Sequence, residues 1–243
     1  MGNYEPLIRI CQRINCPESY LRLVINDLEV LGVNELVSYG NVEFIGVRLL
    51  GKGQNSFVFK CRVGDEYYAC KVRRPDASRP SLSREGEYLR LANSVAVGPR
   101  LINYMGNVIV MELINGVSLQ QYLEVASPVK LRGVIKDLLW QCRRLDIIGL
   151  AHNELSRPQD HVMVVNDKAY IIDFESASLN KRVSNVSQLL NALIMGRGQF
   201  QDRVRSMIGA HVNPEELRLS IREYKARRDD ESFLRLLELL GLK

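Results

Sequence analysis

The 243-residue sequence predicts an α+β chain in two lobes, a strand-rich first half and a helical second half. Two observations carry this. From Gly46 to Ile114 the apolar residues follow strand periodicity in short runs, with one helical stretch among them. After Gly116 the spacing turns helical and is interrupted by a single hairpin pattern, HVMVVNDKAYIIDF. A third observation adds a small helical segment ahead of both.

That first segment, residues 1–45, holds two helical patterns. Leu7, Ile8, Ile10 and Cys11 form a short one. Asn15 and Pro17 suit a helix start, Leu21, Val24, Ile25, Leu28 and Leu31 follow at helical spacing, and Gly32 suits the stop. Gly40-Asn41 between β-prone runs reads as a hairpin turn. Two helices and a hairpin describe a trimmed winged helix; a helical cap packed on the next domain is the alternative. Residues 46–113 form the first lobe. VRLLGKGQNSFVFKCRV, a turn at Gly64-Asp65 and EYYACKVRR give three strands. SLSREGEYLRLAN is helical, and RLINYMGNVIVMELI gives two more strands joined at Met105-Gly106. Residues 114–243 are the helical lobe, whose one hairpin turns at Asn166-Asp167.

Composition narrows the function classes. Apolar residues are 46% and charged residues 25%, ordinary for a soluble globular protein. No apolar run reaches the roughly 18 residues of a membrane helix, and the N-terminus lacks the apolar core of a signal peptide. The expectation is a cytoplasmic protein without membrane partners. Five cysteines without a CxxC pair and three histidines argue against zinc and for buried small hydrophobes. The net charge of +5 leans towards anionic partners.

The chemistry-bearing residues come in a fixed order. Gly51, Lys52 and Gly53 lie between two strands, where a glycine hairpin lets backbone amides approach phosphate oxygens. Ser56 and Val58 follow. Lys71, 18 residues after Gly53, lies on the third strand; in kinases a lysine there pairs with nucleotide phosphates, whereas alone it would read as a solvated edge charge. A carboxylate on the following helix would fix that ammonium. Glu85 is preferred to Glu87, because Leu89 four residues on shares its face and packs towards the core. Asp173 ends an apolar strand, a costly place for a carboxylate unless a cation such as Mg²⁺ compensates. Between them lies HNELSRPQDHV, with His152 and Glu154 where phosphotransferases place His-x-Asp.

These residues resemble the RIO kinases. LLGKGQNSFVF is similar to their glycine loop, with Ser56 near its serine and Gln54-Asn55 replacing a Lys-Glu pair; HNELS and IIDFESAS are similar to their His-Gly-Asp-Leu-Ser and Ile-Asp-Phe segments. LGVNELVSYGNVEFIGVRLL resembles the winged-helix-to-kinase junction of the second RIO type. The resemblance spans roughly residues 20 to 190. It implies a two-lobed protein-kinase-like fold, ATP and Mg²⁺ as cofactors, and nucleotide contacts that include Met111, Glu112 and Ile114. Within the superfamily, the HxEL…RP…HV loop is most similar to the archaeal RNA kinase, which phosphorylates an internal ribose 2′-hydroxyl of tRNA.

Glu154 in place of Asp keeps the carboxylate on a stem one methylene longer, which suits a repositioned acceptor better than a dead loop. Gln159 stands at the usual metal-binding Asn spacing from Glu154. Counting twelve back from Asp173 puts His161 in that slot instead and gives the loop two extra residues, stiffened by Pro158. His161 or Gln159 holds a second metal, or only one metal is held firmly; His161 could instead bond a phosphate or merely start a strand. No Ala-Pro-Glu occurs, so the peptide platform of protein kinases is missing. Arg73, Arg74, Arg79, Lys181, Arg182, Arg222, Arg227 and Arg228 are the candidate RNA contacts. Three readings compete: an RNA kinase acting on tRNA, with no DNA partner; a RIO-like protein Ser/Thr kinase or ATPase of ribosome assembly; and a non-catalytic nucleotide-binding module.

Overall fold

The computed structural model describes residues 2–179, 184–208 and 213–243. They form two units, Met1–Arg90 with Pro99–Ile114, and Leu91–Gly98 with Asn115–Lys243.

In the first unit, helices α1 (Glu5–Ile14) and α2 (Glu18–Val30) precede strands β1 (Val33–Val37), β2 (Val42–Phe44), β3 (Val47–Leu49), β4 (Gly51–Lys52), β5 (Ser56–Val63) and β6 (Glu66–Arg73). Helix α3 (Ser83–Asn93), in this unit as far as Arg90, and strands β7 (Leu101–Tyr104) and β8 (Val108–Glu112) follow. The sheet runs β1-β5-β6-β8-β7, with β4 also paired to β5. Its alternation decides what lies on each face. Phe57, Phe59, Cys61, Cys70, Val72, Val108 and Val110 share one buried core with Leu7, Ile10, Val24 and Leu28 of α1 and α2. Val58, Lys71 and Ile109 are cross-strand partners and point to the opposite face. Two polar ties fix α2. Asp27 Oδ2 accepts from Asn107 N and Nδ2 at 2.9 and 2.8 Å, and Tyr20 Oη donates to the Arg73 carbonyl at 2.5 Å.

Two local expectations are corrected here. The chain does not make a two-residue hairpin at Gly40-Asn41. β2 and β3 reverse through Ile45 and Gly46, at φ 53° and 73°, and β1 pairs with β5 instead. Gly40 serves a close backbone approach, since a Cβ there would fall 2.0 Å from the Leu49 carbonyl oxygen. Cys11 and Cys16 are not separate buried thiols but a disulfide. Asn15, in the left-handed region at the end of α1, brings their Cα atoms to 4.8 Å, within disulfide reach. Cys61, Cys70 and Cys142 are the buried free thiols.

The second unit contains β9 (Val117–Ser118), α4 (Leu119–Val125), α5 (Pro128–Ile148), β10 (Leu150–Ala151), α6 (Pro158–His161), β11 (Val162–Val165), β12 (Lys168–Ile171) and β13 (Ser178–Leu179). Helix α7 (Asn185–Leu190) continues into a π-helical turn, Asn191–Met195, and α8 (Gln199–Ile208), α9 (Pro214–Arg227) and α10 (Asp230–Leu239) complete it. α5 is its axis. Ser127 caps it, Pro128 opens it, and Gly149 at φ 71° ends it. It buries Leu131, Val134, Ile135, Leu138, Cys142 and Leu145. The β11–β12 hairpin turns at Asn166-Asp167, both at positive φ, as a two-residue turn of this kind requires. Among the described residues no helix is long and apolar enough to cross a membrane.

Candidate active site

Each unit carries its own set of the expected residues. In the first, Lys71 Nζ bonds Glu85 Oε1 at 2.7 Å, with both side chains less than a tenth exposed. Glu87, the competing carboxylate, is exposed, and Leu89 is buried beside Glu85 on α3. The helix can come this close to the sheet because Gly86 lies on Tyr104, where a Cβ would fall 2.4 Å from the ring. Lys71 thus presents a buried ammonium on the sheet face it shares with Val58, and Met111 pairs with Ala69 one row away. The glycine turn spans Gly51 to Ser56, with Gly53 N donating to Ser56 O at 2.9 Å; Lys52 and Gly53 are exposed, while Ser56 is buried. Glu112 and Ile114 lie half-buried at the end of β8 and beyond, and Glu112 Oε2 accepts from Arg100 N at 3.0 Å.

In the second unit the catalytic-loop pattern is anchored by His152, which is fully buried. Burial pushes its imidazole down to about 4, so the ring is neutral at neutral pH. Its Nε2 bonds the Ile172 carbonyl at 3.0 Å, and its Nδ1 accepts from Glu154 N at 3.4 Å. One tautomer satisfies both contacts, with the proton on Nε2. The ring therefore locks the loop at Glu154 to the backbone before Asp173. Asn153, at φ 71°, tolerates the left-handed turn and donates from Nδ2 to Ser176 O and Ser178 Oγ at 2.8 and 2.9 Å.

The Glu154 carboxylate is held at both oxygens. Ser176 Oγ donates to Oε1 at 3.0 Å, Arg157 Nη2 donates to Oε2 at 2.6 Å, and His161 Nε2 lies 3.8 Å from Oε2. The Arg157 guanidinium and the Ser176 hydroxyl hold its carboxyl below the usual glutamate range. The two extra loop residues are absorbed by α6. His161 ends this helical turn instead of starting a strand, and its buried Nδ1 has no hydrogen-bond partner among the described residues. Gln159 is half-buried on the same turn.

Asp173 differs from the expected buried strand-end carboxylate. It is exposed, and its cost is backbone strain, with φ at 66°. Its carboxylate lies within 4.8 Å of that of Glu175, whose amide donates to Asp173 Oδ1 at 3.4 Å. Two hard oxygen donors this close fit Mg²⁺ better than an imidazole does. Glu175 lies beside Asp173, Ser176 and Arg157 bond Glu154, and Asn153 bonds Ser176; sequence spacing missed all four. Only Asn153 carried a signal, its tolerance of positive φ.

The structure also sorts the arginines. Arg73 Nε donates to Asn107 Oδ1 at 2.9 Å; Arg74 bonds Asp76 through two nitrogens and the Gly53 carbonyl through a third. Both are tied into the first unit. Arg79 is half-buried. Arg227 is held by Glu223, Asp229 and Glu231, and Arg228 is the left-handed C-cap of α9. Arg222 is exposed and lies at helical spacing with exposed Arg218 and Lys225. Lys181 and Arg182 lie outside the described residues.

Comparison with known proteins places this geometry. An uncharacterized protein of Methanocaldococcus jannaschii is 31% identical over 114 residues, 47% of this chain and 94% of the relative. The solved ternary complex of streptomycin, ATP and APH(2″)-IIa aligns with a TM-score of 0.53 at 16% identity, over 93% of this chain and 96% of that one. That likeness shows the protein-kinase-like fold. The RIO domain matches residues 58–192, more than half of the sequence, and takes in Lys71, Glu85 and the whole segment from His152 to Ser176. The chain belongs to the RIO domain family.

Proposed function

We propose that the protein is an ATP-dependent phosphotransferase that moves a phosphoryl group to RNA, with a ribose 2′-hydroxyl of tRNA as the acceptor. One observation carries the reading: the Glu154 carboxylate is fixed at both oxygens and held ionised, as a group that orients an acceptor hydroxyl would be. A degenerate loop has no reason to keep three groups converging on one glutamate. Its depressed pKa makes it a weak proton acceptor in the ground state. Its role is to orient the incoming hydroxyl and take the proton late, as a loose phosphoryl-transfer transition state requires. His152 contributes by holding the Glu154 amide, without taking charge itself.

The cofactors fit the residues present. ATP supplies the phosphoryl group, and Mg²⁺ supplies neutralising charge. Lys71, held by Glu85, suits nucleotide phosphates, and Asp173 with Glu175 suits the metal. The structure of APH(2″)-IIa contains ATP, which supports the same nucleotide here. RNA is favoured over peptide because no Ala-Pro-Glu platform follows Asp173 and because α9 exposes a row of cations. The test is γ-labelled ATP incubated with the protein, total RNA and a protein extract. Label is expected in RNA, and Glu154→Gln should lower its transfer roughly 10²-fold with nucleotide affinity unchanged. Label confined to protein would favour the protein-kinase reading, and nucleotide binding without transfer the non-catalytic one.

A further inference from the structure

We infer that Asn185, held by Asp146 and Tyr224, is a positioning residue for the catalytic loop, which makes helix α9 part of the machinery. The inference rests on the reading of Glu154 given above. Asn185 opens α7, is fully buried, and uses every polar atom of its side chain. Its Oδ1 accepts from His152 N at 2.9 Å. Its Nδ2 donates to the Leu150 carbonyl at 2.9 Å and to Asp146 Oδ1 at 2.8 Å. A reversed amide would set oxygen against two acceptors, so the orientation is fixed. Asn185 thereby pins the backbone at residues 150 and 152, and Glu154 is two residues further on.

Asp146, on α5, is what holds the amide. Five donors converge on its two oxygens. Asn185 N and Nδ2 reach Oδ1; Ser184 Oγ, Val186 N and Tyr224 Oη reach Oδ2, the last at 3.0 Å. All these groups are buried. An apolar cluster would fill such a space at lower cost, whereas a fully satisfied polar network specifies one geometry. Tyr224 belongs to α9, beyond the residues that match the RIO domain. The chain of contacts runs from its hydroxyl through Asp146 and Asn185 to the His152 amide, and from the His152 ring to the Glu154 amide.

The test uses the full chain carrying Asn185→Ala or Tyr224→Phe. The second removes a hydroxyl and keeps the ring. Two quantities are read: transfer from γ-labelled ATP to a tRNA transcript, and amide hydrogen exchange at residues 150–154. Asn185→Ala is expected to lower kcat at least about tenfold, counted per nucleotide-binding molecule, while KM for ATP stays within about twofold. The His152 amide should exchange roughly three- to tenfold faster, the size of one lost hydrogen bond. Tyr224→Phe should move both in the same direction by less. Unchanged kcat and exchange in both variants, with only the melting temperature lowered, would overturn the inference and leave a purely structural network. A parent that labels no RNA would sink the acceptor reading instead. His152 exchange needs no acceptor and would then decide whether Asn185 positions the loop.

Discussion

His152 and Lys71 show how far a single buried residue reaches. The unfolded imidazole takes a proton near pH 6.5, the folded one only near pH 4. Between those values the unfolded chain binds more protons, so stability rises with pH across the window and is lost on acidification. The shift corresponds to on the order of 3 kcal/mol. Glu154, with its pKa depressed, adds a loss in the same direction as pH falls. Urea unfolding at pH 7, 5.5 and 4.5 should show the parent losing stability and His152→Gln losing less. Equal slopes would mean that this imidazole is not coupled to folding. Lys71 is a different case. Its ammonium is buried against Glu85, so truncation should cost fold, and on the proposed function activity as well. Lys71→Ala strips a buried carboxylate of its cation, a loss of roughly 3–5 kcal/mol. Lys71→Met keeps the volume and should still lower transfer more than about tenfold, a barrier change above about 1.4 kcal/mol. A methionine variant retaining more than about a tenth of the parent rate would remove Lys71 from the mechanism.

Elements are placed by close approaches that spacing alone does not reveal. Helix α3 meets β7 at Gly86, whose missing Cβ makes room for the Tyr104 ring. Gly86→Ala should destabilise the chain by roughly 1–3 kcal/mol through overpacking, although alanine is the better helix former. Denaturant melts would show it, and a neutral or stabilised variant would mean that Tyr104 can move aside freely. The glycine turn is set in the same way. Asn55 is buried, accepts from Ser78 N and Oγ at 3.0 Å, and gives its carbonyl to Arg74 N at 2.8 Å. The departure from the RIO pattern at residues 54 and 55 thus has a structural use at the second of them.

At the scale of the whole molecule, the net charge of +5 becomes a question of which cations are free to meet an anion. Arg73, Arg74 and Arg227 are engaged internally, whereas Arg218, Arg222 and Lys225 are exposed along α9. Binding of a tRNA transcript should weaken steeply with salt, by about 0.7 to 0.9 log units per log unit of salt for each phosphate neutralised. Replacing Arg218, Arg222 and Lys225 together by Ala should flatten the slope by up to about 2 to 3, with ATP binding intact. Arg227→Ala should change it little. A parent slope near zero would argue against RNA as acceptor, and a steep slope untouched by the triple variant would move the contact to another face.

The sequence by itself determined the fold class, a strand-rich half followed by a helical one, and singled out Lys71, Glu85, His152, Glu154 and Asp173 as candidates. These are read from local periodicity, turn residues and spacing, which act over a few positions of chain. Only the tertiary structure decided what each residue does with its neighbours. Ser176 reaches Glu154 across 22 residues, Asn185 reaches His152 across 33, and Tyr224 reaches Asp146 across 78. No local pattern encodes such pairings, because they depend on where separate elements pack. The same holds for Arg73 and Arg74, cationic in sequence yet internally bonded once β6 lies beside its partners, and for Gly40, whose purpose appears only where Leu49 passes it.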